Sequence, residues 1–334
     1  MIESENEKRY RSVINRLAGT MLIFLALTNA LGLIGLGVNE IWKQSTSAIF
    51  VDIITSLTDG TVYILGFMLP VCFFKIISKG KTVEPMKLSP RLPRDTFLYI
   101  MAGMAVILVS SYLNYYMISF FDYAAFAEEN LWKDSYDTTH AIVMNFVTMA
   151  VIPAFVEEFL FRGLIQTNLR PFGRGVAIIG SAIMFGAMHQ NIQQIFYATV
   201  AGLMLGYLYE ETGSIWCGIL LHLFNNAFSV FEATILQRWD PTLADRVCTL
   251  IEGAIFGVGA ICLVLLICRR RRASDFSDGC FEKTLPDAPT YTPFELEGKQ
   301  KIKLFFSPLM IAYLAICAFT MVTYVILALI NYGI

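Results

Sequence analysis

Glu157 and Glu158 stand side by side in AIVMNFVTMAVIPAFVEEFLFRG, the stretch 141–163, and Arg162 follows four positions after Glu158. A charge at bilayer depth costs at least ~2.5–3.5 kcal/mol, so ionisable groups inside hydrocarbon-length helices are rare and mark function by default. Two apolar stretches downstream carry one histidine each, His189 and His222, and the second adds Asn225 and Asn226. The chain has three histidines in all. These residues read as a polar reaction centre built inside a membrane.

Residues four apart share a helix face. Glu158 and Arg162 therefore pair, whereas Glu157 points about 100° away and stays available for other work. Phe185 and His189 are likewise four apart, so the ring braces the imidazole; His222 and Asn226 project from one face of their helix. A carboxylate and an imidazole that share a water can deprotonate it for attack on a carbonyl. A histidine beside an asparagine can donate hydrogen bonds to the oxyanion that develops. Together these make a peptide-hydrolysing arrangement with no serine or cysteine nucleophile. The near alternative is zinc on Glu157, His189 and His222, a two-histidine, one-carboxylate set. No HExxH signature is present and the three ligands lie on separate stretches, so we expect water activation without a cofactor. Each residue also has a plainer reading: Glu158–Arg162 as helix glue, a buried histidine as a packing donor, His140 as a loop-edge residue, Asn225 as a helix–helix hydrogen bonder. Their co-occurrence at comparable depth favours the site.

The elements that must position this set are membrane helices. Hydrophobic residues make up 56% of the 334 and charged residues 16%, with a mean hydropathy of +0.59. An ordinary soluble domain carries about 25% charged residues. The composition predicts an all-α, polytopic bundle of about nine transmembrane helices, near 13–38, 57–78, 97–120, 141–162, 175–191, 194–210, 214–235, 248–268 and 307–331. The pair across 175–210 is the least suited to two full crossings. The first stretch is too long for a signal-peptide core. Three regions follow: N-terminal membrane helices 1–140, a catalytic core 141–235, and C-terminal helices 236–334 with a polar linker at 274–303. The last helix reads as peripheral to function. Lys and Arg cluster at 8–16, 75–94, 170–174 and 269–272, whereas Phe121–Thr139 is acidic. By the positive-inside rule the N-terminus is cytoplasmic and the C-terminus outside. At about 1.5 Å per residue, His222 lies ~12 Å, Asn226 ~18 Å, Glu157 ~18 Å and His189 ~21 Å from cytoplasmic helix ends. The value for Glu157 requires its helix to continue past Gly163. The net charge of −2 carries no nucleic-acid signature. The seven cysteines suggest neither disulfides nor a thiolate site. Gly32, Gly35, Gly37, Gly253 and Gly257 could let helices approach, though ordinary glycine use explains them equally.

The three motifs, EEFLFR with Glu157, Glu158 and Arg162, Phe185 with His189, and His222 with Asn226, resemble EExxxR, FxxxH and HxxxN of the CPBP family. That family comprises CAAX prenyl-proteases and bacteriocin-processing enzymes and is also called Abi. The resemblance covers about residues 141–235. It implies an intramembrane endopeptidase in which the first glutamate and first histidine activate water and the second histidine with asparagine forms the oxyanion hole. Eukaryotic members remove the last three residues of prenylated CAAX proteins; bacterial ones are implicated in peptide maturation or self-immunity. The short loops look bacterial, so prenylated substrates are not carried over. Partners are then a peptide or membrane-protein substrate and the bilayer. Two other classes compete: a non-catalytic immunity or scaffold protein of the same fold, and a proton-coupled carrier. A carrier predicts paired broken helices in two repeats, which the sequence lacks.

Overall fold

The computed structural model describes residues 5–42, 47–78, 92–120, 138–276 and 296–332. They form ten helices: α1 Glu5–Trp42, α2 Ala48–Ile77, α3 Thr96–Phe120, α4 Thr139–Phe172, α5 Arg174–Met188, α6 Ile192–Thr212, α7 Ile215–Arg238, α8 Pro241–Phe276, α9 Gly298–Phe305 and α10 Pro308–Tyr332. All nine expected spans fall on helices. Seven of the helices (α1, α2, α3, α4, α7, α8 and α10) are long and apolar enough to cross a membrane. The difference from nine lies in the doubtful pair. Helix α5 has 15 residues, about 22 Å against a hydrocarbon core of about 30 Å, and α6 has Gln193, Gln194, Glu210 and Glu211 near its ends. This is a multi-pass membrane protein, with Leu33, Leu250, Ile261 and Phe319 among its outward-facing apolar side chains.

Helix α4 is not uniform. It widens to π-helix at Phe146–Val151 and again at Phe159–Gln166. Pro153 has no N–H to return to the turn before it, which accounts for the first widening. The second begins one residue after Glu158. Such π turns are frequent at functional sites. The helix does continue past Gly163, as the depth estimate for Glu157 required.

Helices α1 and α2 pair, as do α5 and α6, and α3 lies against both α6 and α8. One core joins α1, α2, α4, α5 and α10 through residues such as Ile14, Phe67, Phe161, Met184 and Tyr313; a second joins α3, α6, α7 and α8 through Met104, Leu205, Leu221 and Ile255. Helix α10 is tied into the first, since the Tyr313 hydroxyl donates to the Met184 carbonyl of α5 at 2.9 Å. Structurally it is no appendage. Part of the linker is helical as well: α8 runs on to Phe276 and α9 occupies Gly298–Phe305. The rest of it, together with Cys280, the acidic stretch 121–137 and the basic residues at 79–91, lies outside the described residues. The six described cysteines are unbridged. Of the five glycines considered for packing, Gly35 alone has a neighbour within 4 Å of an added Cβ, Val62 at 3.3 Å. Close approaches lie elsewhere: at Gly259 a Cβ would collide with the Met101 carbonyl oxygen of α3, and at Gly202 one would sit 3.1 Å from the Ala182 Cα. That contact sets α6 tight against α5.

Candidate active site

The turn that ends α5 also fixes its histidine. His189 caps the helix, Gln190 turns left-handed at φ 50°, and Asn191 opens α6 by accepting from the Gln193 N–H at 2.8 Å. His189 Nδ1 lies 2.9 Å from the Phe185 carbonyl. A carbonyl can only accept, so Nδ1 carries the hydrogen and Nε2 of the neutral ring keeps its lone pair. Phe185 meets the imidazole edge-on at 5.2 Å between centroids, the bracing expected from their spacing.

Glu158 and Arg162 pair at 2.8 Å with neither side chain exposed. Arg162 Nη2 also donates to the Gly202 carbonyl at 2.9 Å, and the guanidinium sits 4.8 Å from the Phe185 ring centroid. The arginine thereby links α4 to α5 and α6. Glu158 has a second partner that spacing did not suggest: His222 Nδ1 lies 3.1 Å from the same Oε1. Its carboxylate accepts there, so Nδ1 donates and Nε2 of His222 turns toward Glu157, 3.8 Å from Oε2. Gly218 makes room for this, since a Cβ there would come within 2.8 Å of Glu158 Oε2.

Glu157 is buried and makes no hydrogen bond to Arg162. Its Oε1 accepts instead from the Tyr63 hydroxyl of α2, while Oε2 has no hydrogen-bond partner among the described residues. On α7, Asn225 Nδ2 donates to Tyr197 at 2.6 Å and to Asn226 Oδ1 at 3.1 Å; Asn226 Nδ2 donates to the Met149 carbonyl at 3.1 Å. This chain fixes the Asn226 amide and leaves it one N–H, because an amide nitrogen has two to give.

A cavity of about 80 Å³ is lined by Glu157, Phe185, His189, Tyr197, His222, Asn225 and Asn226, with Ile107, Ala198, Ala201 and Leu205 as its apolar wall. All four residues expected to act, Glu157, His189, His222 and Asn226, thus border one space, and Glu158 and Arg162 lie behind it. His140 stands apart, 3.0 Å from Asp52. Among the described residues no three His, Cys, Asp or Glu side chains form a group that could hold a metal. Tyr63 and Tyr197 were not foreseen, since a tyrosine in an apolar span is unexceptional until the helix opposite it is known.

A family model described as "Type II CAAX prenyl endopeptidase Rce1-like" matches residues 139–228, which run from the start of α4 into α7 and hold every motif residue. Residues 139–228 are thus similar to that family. The resemblance drawn from the three motifs holds for this segment. A Bacillus subtilis protein, "Putative membrane peptidase YdiL", is 28% identical over 100 residues, which are 28% of this chain and 39% of that protein. The chain therefore matches well under half the length of that relative. No solved structure matches it. Within residues 139–228 the glutamates, both motif histidines and the asparagines sit on α4, α5 and α7, and two tyrosines, from α2 and α6, buttress them.

Proposed function

We propose that this protein is an intramembrane endopeptidase that hydrolyses a peptide bond of a membrane-associated or peptide substrate by water activation, without a covalent acyl-enzyme. The observation that carries this is the shared cavity, in which an acid, two imidazoles and an oriented amide face one another. At about 80 Å³ it exceeds the roughly 10–15 Å³ that a water needs. It is too small for an extended peptide, so productive binding requires the surrounding helices to part.

In the proposed reaction Glu157 Oε2 takes a proton from the water, and the Nε2 lone pair of His189 helps to hold it. The hydroxide attacks the scissile carbonyl. The free N–H of Asn226 and a proton on His222 Nε2 stabilise the oxyanion, with Glu158 holding His222 through Nδ1. The proton gathered by Glu157 passes to the leaving amine as the C–N bond breaks. Tyr63 positions Glu157, and Asn225 positions Asn226. No step requires a metal. Zinc on Glu157, His189 and His222 is the competing chemistry, and an immunity or scaffold protein of the same fold is the competing class.

The test uses proteoliposomes and a library of internally quenched peptides with apolar flanks. Wild type cleaves members of the library, and Asn226→Ala loses about 10²–10³ in kcat, the usual cost of one oxyanion donor. Asn225→Ala, acting only through Asn226, loses less. Full activity in Asn226→Ala contradicts the assignment; no cleavage by wild type of any member favours the non-catalytic class.

A further inference from the structure

A second cavity, of about 280 Å³, lies between α1, α5 and α9, and none of the motif residues lines it. Its walls are apolar, from Ile179 and Ile183 of α5 and Phe305 of α9, and its polar features come from Tyr10 and Lys301. Tyr10 is fully buried, yet its hydroxyl has no hydrogen-bond partner among the described residues. A buried hydroxyl without a partner is costly, so a ligand that accepts from it would gain. The Lys301 ammonium lies at the start of α5, 3.6 Å from the position of a Cβ on Gly173. That start has no side-chain cap, and the first intrahelical bond is donated by Ala177. The amides before it are therefore open and, with the helix dipole, favour an anion. Helix α9, GKQKIKLF, sets three lysines beside an apolar face that packs against α1, the make-up of a helix lying in the membrane interface.

We propose that this groove binds an anionic phospholipid, with one acyl chain along Ile179, Ile183 and Phe305 and the headgroup phosphate received by Lys301, the Tyr10 hydroxyl and the open amides of α5. The unpartnered hydroxyl and the uncapped helix start call for an acceptor anion, and the apolar walls call for a hydrocarbon chain. A phospholipid supplies both in one molecule, whereas a free phosphate leaves the groove unfilled. Because α5 begins here and ends at His189, the lipid would brace the helix that carries one motif histidine. The proposal does not depend on peptidase activity.

The full chain, purified in neutral detergent, is titrated with phosphatidylglycerol and with phosphatidylcholine of the same chains. One-to-one adducts are counted by native mass spectrometry and thermal stability is followed in parallel. Retention of phosphatidylglycerol should exceed that of phosphatidylcholine about fivefold or more, the effect of one basic group at an anionic surface. Lys301→Gln should bring the ratio close to unity. An added side chain at Gly175 meets nothing within 4 Å, so Gly175→Leu should occupy the groove and weaken both lipids. If Gly175→Leu does not fold, Lys301→Gln decides alone. Equal retention of the two lipids, or an undiminished preference in Lys301→Gln, overturns the proposal. So does inorganic phosphate alone giving the same stabilisation, which would make this a free-anion site.

Discussion

Cutting the buried Glu158–Arg162 pair from either side should cost far more than removing both charges together. Neither side chain is exposed, and the pair is 2.8 Å apart. Arg162→Met leaves the Glu158 carboxylate buried with His222 as its remaining hydrogen-bond partner, and an orphaned buried charge costs about 3–5 kcal/mol. Glu158→Gln leaves the guanidinium with the Gly202 carbonyl and the Phe185 ring, at a similar cost. In the double variant both charges of the pair are gone, and the amide oxygen introduced by Glu158→Gln can still accept from His222 Nδ1. What is lost is then the donor to the Gly202 carbonyl, worth about 1–3 kcal/mol. The two single losses sum to about 6–10 kcal/mol, so the coupling should be at least ~3 kcal/mol. Reversible unfolding in mixed micelles, with detergent half-lives for variants too unstable to titrate, gives all four corners of the cycle. Arg162→Lys, which keeps the charge without the two-pronged reach, should fall between wild type and Arg162→Met. Additive losses, with the double variant as damaged as the two singles summed, would refute the reasoning.

Three further expectations follow from the same geometry. Tyr63→Phe removes the donor to Glu157 Oε1, and a hydrogen bond to a charged group is worth about 1.5–3 kcal/mol; kcat should fall about ten- to hundredfold with little change in KM, and an unchanged kcat would release Tyr63 from the site. Purified protein should hold far less than one zinc per chain and keep its activity in strong chelator; stoichiometric zinc lost and regained together with activity would make Glu157, His189 and His222 ligands. Cysteine introduced at Ser274 in a background without native cysteines should react with an impermeant thiol reagent only after the membrane is opened, and cysteine at Ala124 in intact cells; the reverse would invert the orientation.

What could be read in the sequence was whatever depends on one helix. The Glu158–Arg162 pair follows from four-residue spacing, and it survives although the helix widens immediately after Glu158. The bracing of His189 by Phe185 follows in the same way. What could not be read depends on how one helix is rotated against another. The bond from His222 to Glu158 requires α7 to present Gly218 and His222 to the doublet together, so Glu158 serves His222 as well as Arg162. Tyr63 reaches Glu157 only because α2 crosses α4. The π segments change the backbone register without disturbing the apolar pattern, so hydropathy gives no sign of them, and Pro153 marks only the first. Helix α5 shows the limit of hydropathy: it reads as a span, yet its 15 residues are too few to cross alone.

The central claim is that Glu157 activates the water that cleaves the substrate, and isotope transfer tests it most directly. A peptide cleaved in proteoliposomes in 18O-labelled water should gain one 18O in the new carboxylate. Glu157→Gln should retain folded protein while its rate falls about 10²–10⁴-fold, the span of a lost general base. Cleavage by Glu157→Gln at the wild-type rate, with the same label in the product, would contradict the account.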